Sequence, residues 1–100
     1  MGEFDALPGL SQEADCLTRK PVTEGGPGHG CGHHILGTAA VAAAVANKEF
    51  IESNKITGTV RFYGCPAEEG GAGKVLMAQA GLFDDCDAAV SWHPTDDLVN

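Results

Sequence analysis

Between residues 32 and 53 apolar positions recur at spacings of three and four. Ile35, Leu36, Ala39, Ala40, Ala43, Ala46 and Phe50 fall on one face, which predicts a helix. Its alanines allow close approach to a sheet, and Lys48, Glu49 and Glu52 mark its far, wet end. Asn54-Lys55 closes the helix and Gly58 turns the chain. Residues 59–63, Thr-Val-Arg-Phe-Tyr, then read as a strand from their β-branched and aromatic content. A short helix is predicted over 73–80, with Val75, Leu76 and Gln79 facing partly inward and Gly81 as its stop. Residues 88–92 form a second predicted strand ending at His93-Pro94. At the other end, Phe4 and Ala6 alternate with acidic neighbours, as in a strand whose end carries Glu3 and Asp5 before Pro8-Gly9 turns.

Strand, helix, strand, helix, strand is the α/β order, with parallel strands and right-handed crossovers. The expected fold is therefore α/β, a mixed or mostly parallel sheet flanked by helices. Such sheets bind ligands beyond the carboxyl ends of their strands. Residues 11–30 show no apolar period, and a structureless loop of about twenty residues in a compact domain usually serves a function.

That loop leads into Gly28-His29-Gly30-Cys31-Gly32-His33-His34, three histidines and a thiol within seven residues. Thiolate and imidazole are usual ligands of divalent transition metals. Cys31 and His33, two apart, can turn to one side of the chain. Three further groups fall at the ends of predicted strands: Glu3 with Asp5, Glu68 with Glu69, and His93. Each has a plain alternative, namely a glycine-rich loop with solvated histidines, a solvated acidic surface, and a core histidine. Their arrival at one rim favours a metal site. In a neighbouring pair such as Glu68-Glu69, one carboxylate can hold metal while the other serves as general base. A phosphate-loop reading of Gly70-Gly71-Ala72-Gly73-Lys74 fails, because Glu68 stands where that pattern needs glycine and Val75 where it needs Ser or Thr.

One hundred residues bound the chain to a single domain. A net charge of -8 argues against nucleic acid or an anionic membrane as partner. No apolar run approaches the roughly 20 residues of a membrane helix, and Glu3 and Asp5 follow Met1 too closely for a signal peptide. Cys16, Cys31, Cys65 and Cys86 are isolated, which suits a reduced, cytoplasmic protein.

Glu3-Phe4-Asp5-Ala6-Leu7-Pro8, His29-Gly30-Cys31-Gly32-His33, Pro66-Ala67-Glu68-Glu69-Gly70-Gly71 and Trp92-His93-Pro94 together resemble the di-metal amidohydrolases of the aminoacylase and carboxypeptidase G superfamily. Within it they are similar to the branch holding aminobenzoyl-glutamate hydrolase and the indole-acetyl-amino-acid hydrolases. The resemblance implies two divalent ions, zinc or manganese, held by Cys31, His33, Glu69 and His93. It makes Glu68 the general base and Asp5 a carboxylate that orients a ligand, a common supporting role. Glu3 and His34 are further possible members. The implied reaction is hydrolysis of the amide bond of a small N-acyl amino acid or dipeptide. Two positions depart from the family: His34 stands where relatives carry Asp or Asn, and Cys65 where a small hydroxyl residue is expected. The family's catalytic domain is longer, carries a lid and draws another histidine ligand from near its C-terminus. Residues 1–100 are thus expected to be the central piece of a zinc-peptidase-like catalytic domain, lid domain absent. Alone they are expected to be inactive, the full-length enzyme being a homodimer. The alternatives are a metal-binding, inactive remnant acting as an interaction module, and a plain α/β domain with no site. Bound metal separates the last from the others.

Overall fold

The structure, a computed structural model, describes residues 1–94, so the end of the expected 1–100 domain lies outside the described residues. Its largest element is helix α1, His33–Asn54, of 22 residues. Gly32 starts it from the left-handed region (φ 79°), where a side chain would be strained. The Gly32 carbonyl accepts from the N–H groups of Ile35 and Leu36 at 2.9 and 3.1 Å. At the far end Lys55 adopts φ 53°, its N–H donates to the Glu52 carbonyl, and Ile56 N–H donates to Ile51. This is a Schellman closure, built here without glycine.

Helix α1 is the crossover between two short parallel strands, β1 (Gly2–Glu3) and β2 (Gly64–Cys65), paired Gly2 to Gly64 and Glu3 to Cys65. Gly37 brings helix and sheet together. A Cβ at Gly37 would lie 2.8 Å from the Glu3 carbonyl oxygen. Propensity alone says that Gly37→Ala should stabilise a helix by about 1 kcal/mol. Overpacking costs about 1–3 kcal/mol, so net destabilisation is expected in urea unfolding. A gain would mean that α1 does not sit hard against β1.

The inner face of α1 is narrower than the sequence predicts. Leu36 is 3% exposed, and Ala39 and Ala40 are half-buried, but Ile35 and Phe50 lie open at 57% and 59%. The strands expected over 59–63 and 88–92 do not form. Pairing begins only at Gly64, and residues 88–92 make no ladder. β-Branched content favours an extended chain, but a strand also needs a partner edge. Among the described residues these segments instead border an apolar groove of about 740 Å³ against Ala39, Ala40, Ala43 and Ala44 of α1. The observed sheet is therefore two parallel strands, less than the flanked sheet expected.

After β2 the chain makes one helical turn, α2 (Glu68–Gly71), where the sequence suggests a loop, then α3 (Gly73–Gln79). Ala67 and Ala72 bracket α2 in the left-handed region, at φ 53° and 46°, a strained setting for alanine. Val75 and Leu76, expected to face partly inward, are 54% and 65% exposed. The Arg61 guanidinium grips Asp85 with both nitrogens, at 2.5 and 2.6 Å, and its hydrogen bonds hold that carboxyl below its ordinary range. Tyr63 donates to the Leu82 carbonyl at 2.5 Å. Two contacts thus tie the segment entering β2 to the chain beyond α3.

Candidate metal centre

Three side chains in the described chain are fully or nearly fully buried: Leu36, Cys65 and His33. His33, the first residue of α1, is 1% exposed. Its Nδ1 lies 3.0 Å from Asp5 Oδ1 and 3.1 Å from the Asp5 carbonyl, both acceptors. Nδ1 therefore carries a hydrogen, and Nε2 is a lone pair whenever the ring is neutral. Nε2 is buried without a hydrogen-bond partner. It faces Glu3 Oε2 at 3.2 Å, Glu68 Oε2 at 3.7 Å and Glu69 Oε1 at 3.9 Å. With the ring neutral, that lone pair turned toward three carboxylates is repulsive; a proton on Nε2 or a metal ion among the carboxylates relieves it, and this set of oxygen and nitrogen donors fits a metal ion.

A softer set of donors adjoins. Cys31 Sγ lies 3.0 Å from His93 Nε2, while His93 Nδ1 donates to the Pro94 carbonyl at 2.8 Å. Both imidazoles thus carry hydrogen on Nδ1 and offer Nε2, as metal-ligating histidines commonly do. Burial, then the Glu69 carboxylate beside it, push the Cys31 thiol above its ordinary pKa; the charges of Glu68 and Glu3 add to this. A metal ion would reverse that balance, since the thiolate is the ligand.

Two donor groups share His33: Cys31, His33 and His93, and Glu3, His33 and Glu68, the ligand atoms of each within 4.8 Å of one another. Glu69 stands outside both groups, yet faces the thiol of one and the imidazole of the other. Glu68 and Glu69 are nearly equidistant from His33, and both carboxylates act on the Cys31 thiol, Glu69 the more strongly.

Asp5 ties the parts together. Its Oδ1 accepts a hydrogen bond from His33 Nδ1, and its Oδ2 accepts from the Glu69 backbone N–H at 3.0 Å, fixing the start of α2. Burial pushes the Asp5 carboxyl up, but backbone donors led by Glu69, together with His33, outweigh it and leave the group below its ordinary range. His34 joins neither donor group; it is exposed, its ring 4.6 Å from that of His29. Cys65 is buried in β2, its thiol 3.5 Å from the Tyr63 carbonyl, which a small hydroxyl residue would also satisfy.

The sequence pattern gives no sign of Lys74, whose ammonium, from the first turn of α3, pairs with Glu3 Oε1. Burial opposes charge on Lys74, yet the Glu3 carboxylate wins and raises its pKa.

The sequence profile of Peptidase family M20/M25/M40 matches residues 1–99. The chain is 61% identical over 94 residues to one of the subunits of the p-aminobenzoyl-glutamate hydrolase of Escherichia coli, covering 94% of this chain and 20% of that protein. It is 34% identical over 95 residues to Xaa-Arg dipeptidase of Mus musculus, covering 93% of this chain and 18% of that one. It is 36% identical over 93 residues to hippurate hydrolase of Campylobacter jejuni, covering 91% of this chain and 22% of that one. The chain thus spans about a fifth of the length of these curated relatives. No solved structure matches it significantly.

Proposed function

The chain belongs to Peptidase family M20/M25/M40, and from that premise we propose that it carries the metal-holding core of an enzyme that hydrolyses amide bonds in small N-acyl amino acids or dipeptides. The observation that carries the reading is the buried, unpartnered Nε2 of His33, set among carboxylates and beside the Cys31–His93 pair.

In this reading Cys31, His33, Glu69 and His93 would hold two divalent metal ions, zinc or manganese. The metal supplies Lewis acidity, polarising the substrate carbonyl and acidifying water. Glu68 does the proton work. Its carboxylate is 41% accessible, the more open of the pair, and lies 3.7 Å from His33 Nε2. It removes a proton from the attacking water and returns it to the leaving nitrogen, so one group acts as base and then as acid. Asp5 keeps the hydrogen of His33 on Nδ1 and so keeps Nε2 facing the metal. The aminobenzoyl-glutamate hydrolase among the relatives suggests an aminobenzoyl-glutamate-like substrate. The acidic charge of -8 is consistent with neither nucleic acid nor an anionic membrane as partner. No helix among the described residues is long and apolar enough to cross a membrane. A cytoplasmic setting and a homodimeric whole enzyme complete the proposal.

The test is elemental analysis of the purified protein after dialysis against zinc or manganese. The parent is expected to retain metal and Cys31→Ser to lose most of it, because a hydroxyl is a far poorer ligand than a thiolate. Equal retention by the two proteins would remove Cys31 from the ligand set, and a metal-free parent would end the reading.

A further inference from the structure

Lys74 has no part in the reaction described above, yet it is half-buried against the centre. Its ammonium pairs with Glu3 Oε1 while Glu3 Oε2 stands 3.2 Å from His33 Nε2. Both ends of this link are fastened. Glu3 lies in β1, its side chain 12% accessible, and Lys74 follows the buried Gly73 at the start of α3. The carboxylate is thereby divided, one oxygen on the ammonium and the other turned to the unpartnered lone pair.

We propose that Lys74 is a positioning residue that sets metal preference: by holding Glu3, it gives the cation site a carboxylate oxygen on the β1 side and favours manganese over zinc. The inference rests on the reading of this cluster as a metal centre. Its chemical basis is the split character of the donors. Cys31 and His93 form a soft to borderline wall that suits zinc, whereas Glu3 and Glu68 form an oxygen wall that suits manganese. Without Lys74, Glu3 loses the contact that selects its rotamer, and the oxygen wall loosens while the sulfur and nitrogen wall stays.

A second effect runs the other way. Lys74 is itself positive, so its removal relieves repulsion of any nearby cation. That Coulomb part is the same for two ions of equal charge, and it cancels in the ratio of their affinities. The ratio therefore isolates positioning from charge. A role limited to fastening α3 onto β1 would leave it unmoved.

The experiment is equilibrium dialysis of the protein against Mn²⁺ alone and Zn²⁺ alone, for the parent, Lys74→Met, Glu3→Gln and the double variant. The ratio of manganese to zinc affinity is expected to fall about 10-fold or more in each single variant, the scale typical of groups that support metal ligands. The double variant should fall no further than Glu3→Gln, because Lys74 acts through Glu3. An unchanged ratio in Lys74→Met, or additive losses in the double variant, would overturn the inference while leaving the metal centre intact. A parent that binds neither ion overturns both. If Lys74→Met does not fold, Glu3→Gln decides: an unchanged ratio there removes the oxygen that Lys74 is said to position.

Discussion

In the intact enzyme, Glu68→Gln is expected to leave bound metal close to the parent level and to cut turnover of an N-acyl amino acid by about 10²–10⁴-fold, the usual contribution of a positioned acid–base group. The carboxamide has nearly the shape of the carboxylate but cannot take a proton from water. Packing gives little reason for collateral damage, since Glu68 is exposed and its contacts are confined to the rim of the centre. Glu69→Gln is expected to differ. Glu69 faces the Cys31 thiol and is the less accessible of the two, at 26% against 41%. Its loss should release metal, and turnover should fall only as far as metal does. The comparison needs metal content and rate on the same preparations. Equal loss of metal in both variants would show that the two carboxylates are not divided as proposed. The point is open to experiment because their distances to His33 differ by only 0.2 Å, from 3.7 and 3.9 Å.

How much of this was legible in the chain depends on how local each signal is. Helix α1 was, because its apolar spacing, the glycine before it and the Asn54-Lys55 close all lie within one stretch. The nearness of Cys31, His33 and His93, and of Glu68 to His33, follows the sequence expectation, although the strand expected to deliver His93 does not form and Glu69 stands outside both groups. The strands were only half legible. Thr59 to Tyr63 have the residues of a strand, but a ladder depends on what lies alongside, and here pairing starts at Gly64. Glu3 came into view as part of an acidic strand end, whereas its tie to Lys74 spans 71 positions and leaves no trace in spacing. In the sequence Lys74 stands out only inside a phosphate-loop pattern that fails. The breadth of the α1 face is overstated for a related reason. Periodicity says which residues share a face, not how far along it the sheet extends, so Leu36 is covered and Phe50 is not.

Asp5→Asn is expected to lower metal affinity by about 10–100-fold, the range typical for partners of metal-ligating histidines. The reasoning turns on the two hydrogen bonds Asp5 accepts, from His33 Nδ1 at 3.0 Å and from the Glu69 N–H at 3.0 Å. A carboxylate accepts with both oxygens; an amide accepts with one and donates with the other. If the asparagine oxygen stays on His33, its NH₂ group meets the Glu69 N–H, donor against donor, and the start of α2 loses its anchor along with Glu68 and Glu69. If the amide turns over, NH₂ meets His33 Nδ1, and the ring answers by moving its hydrogen to Nε2, where the lone pair for metal was. Neither orientation keeps both the imidazole and α2 in place. Losing one of the hydrogen bonds that Asp5 accepts also costs about 1 kcal/mol, so the variant should unfold at lower urea. Metal titration and urea unfolding of the parent and Asp5→Asn check the two effects separately. Lower stability with unchanged metal affinity would mean that Asp5 only anchors α2. Unchanged values in both would mean that the bridge from His33 to Glu69 does not hold the centre together.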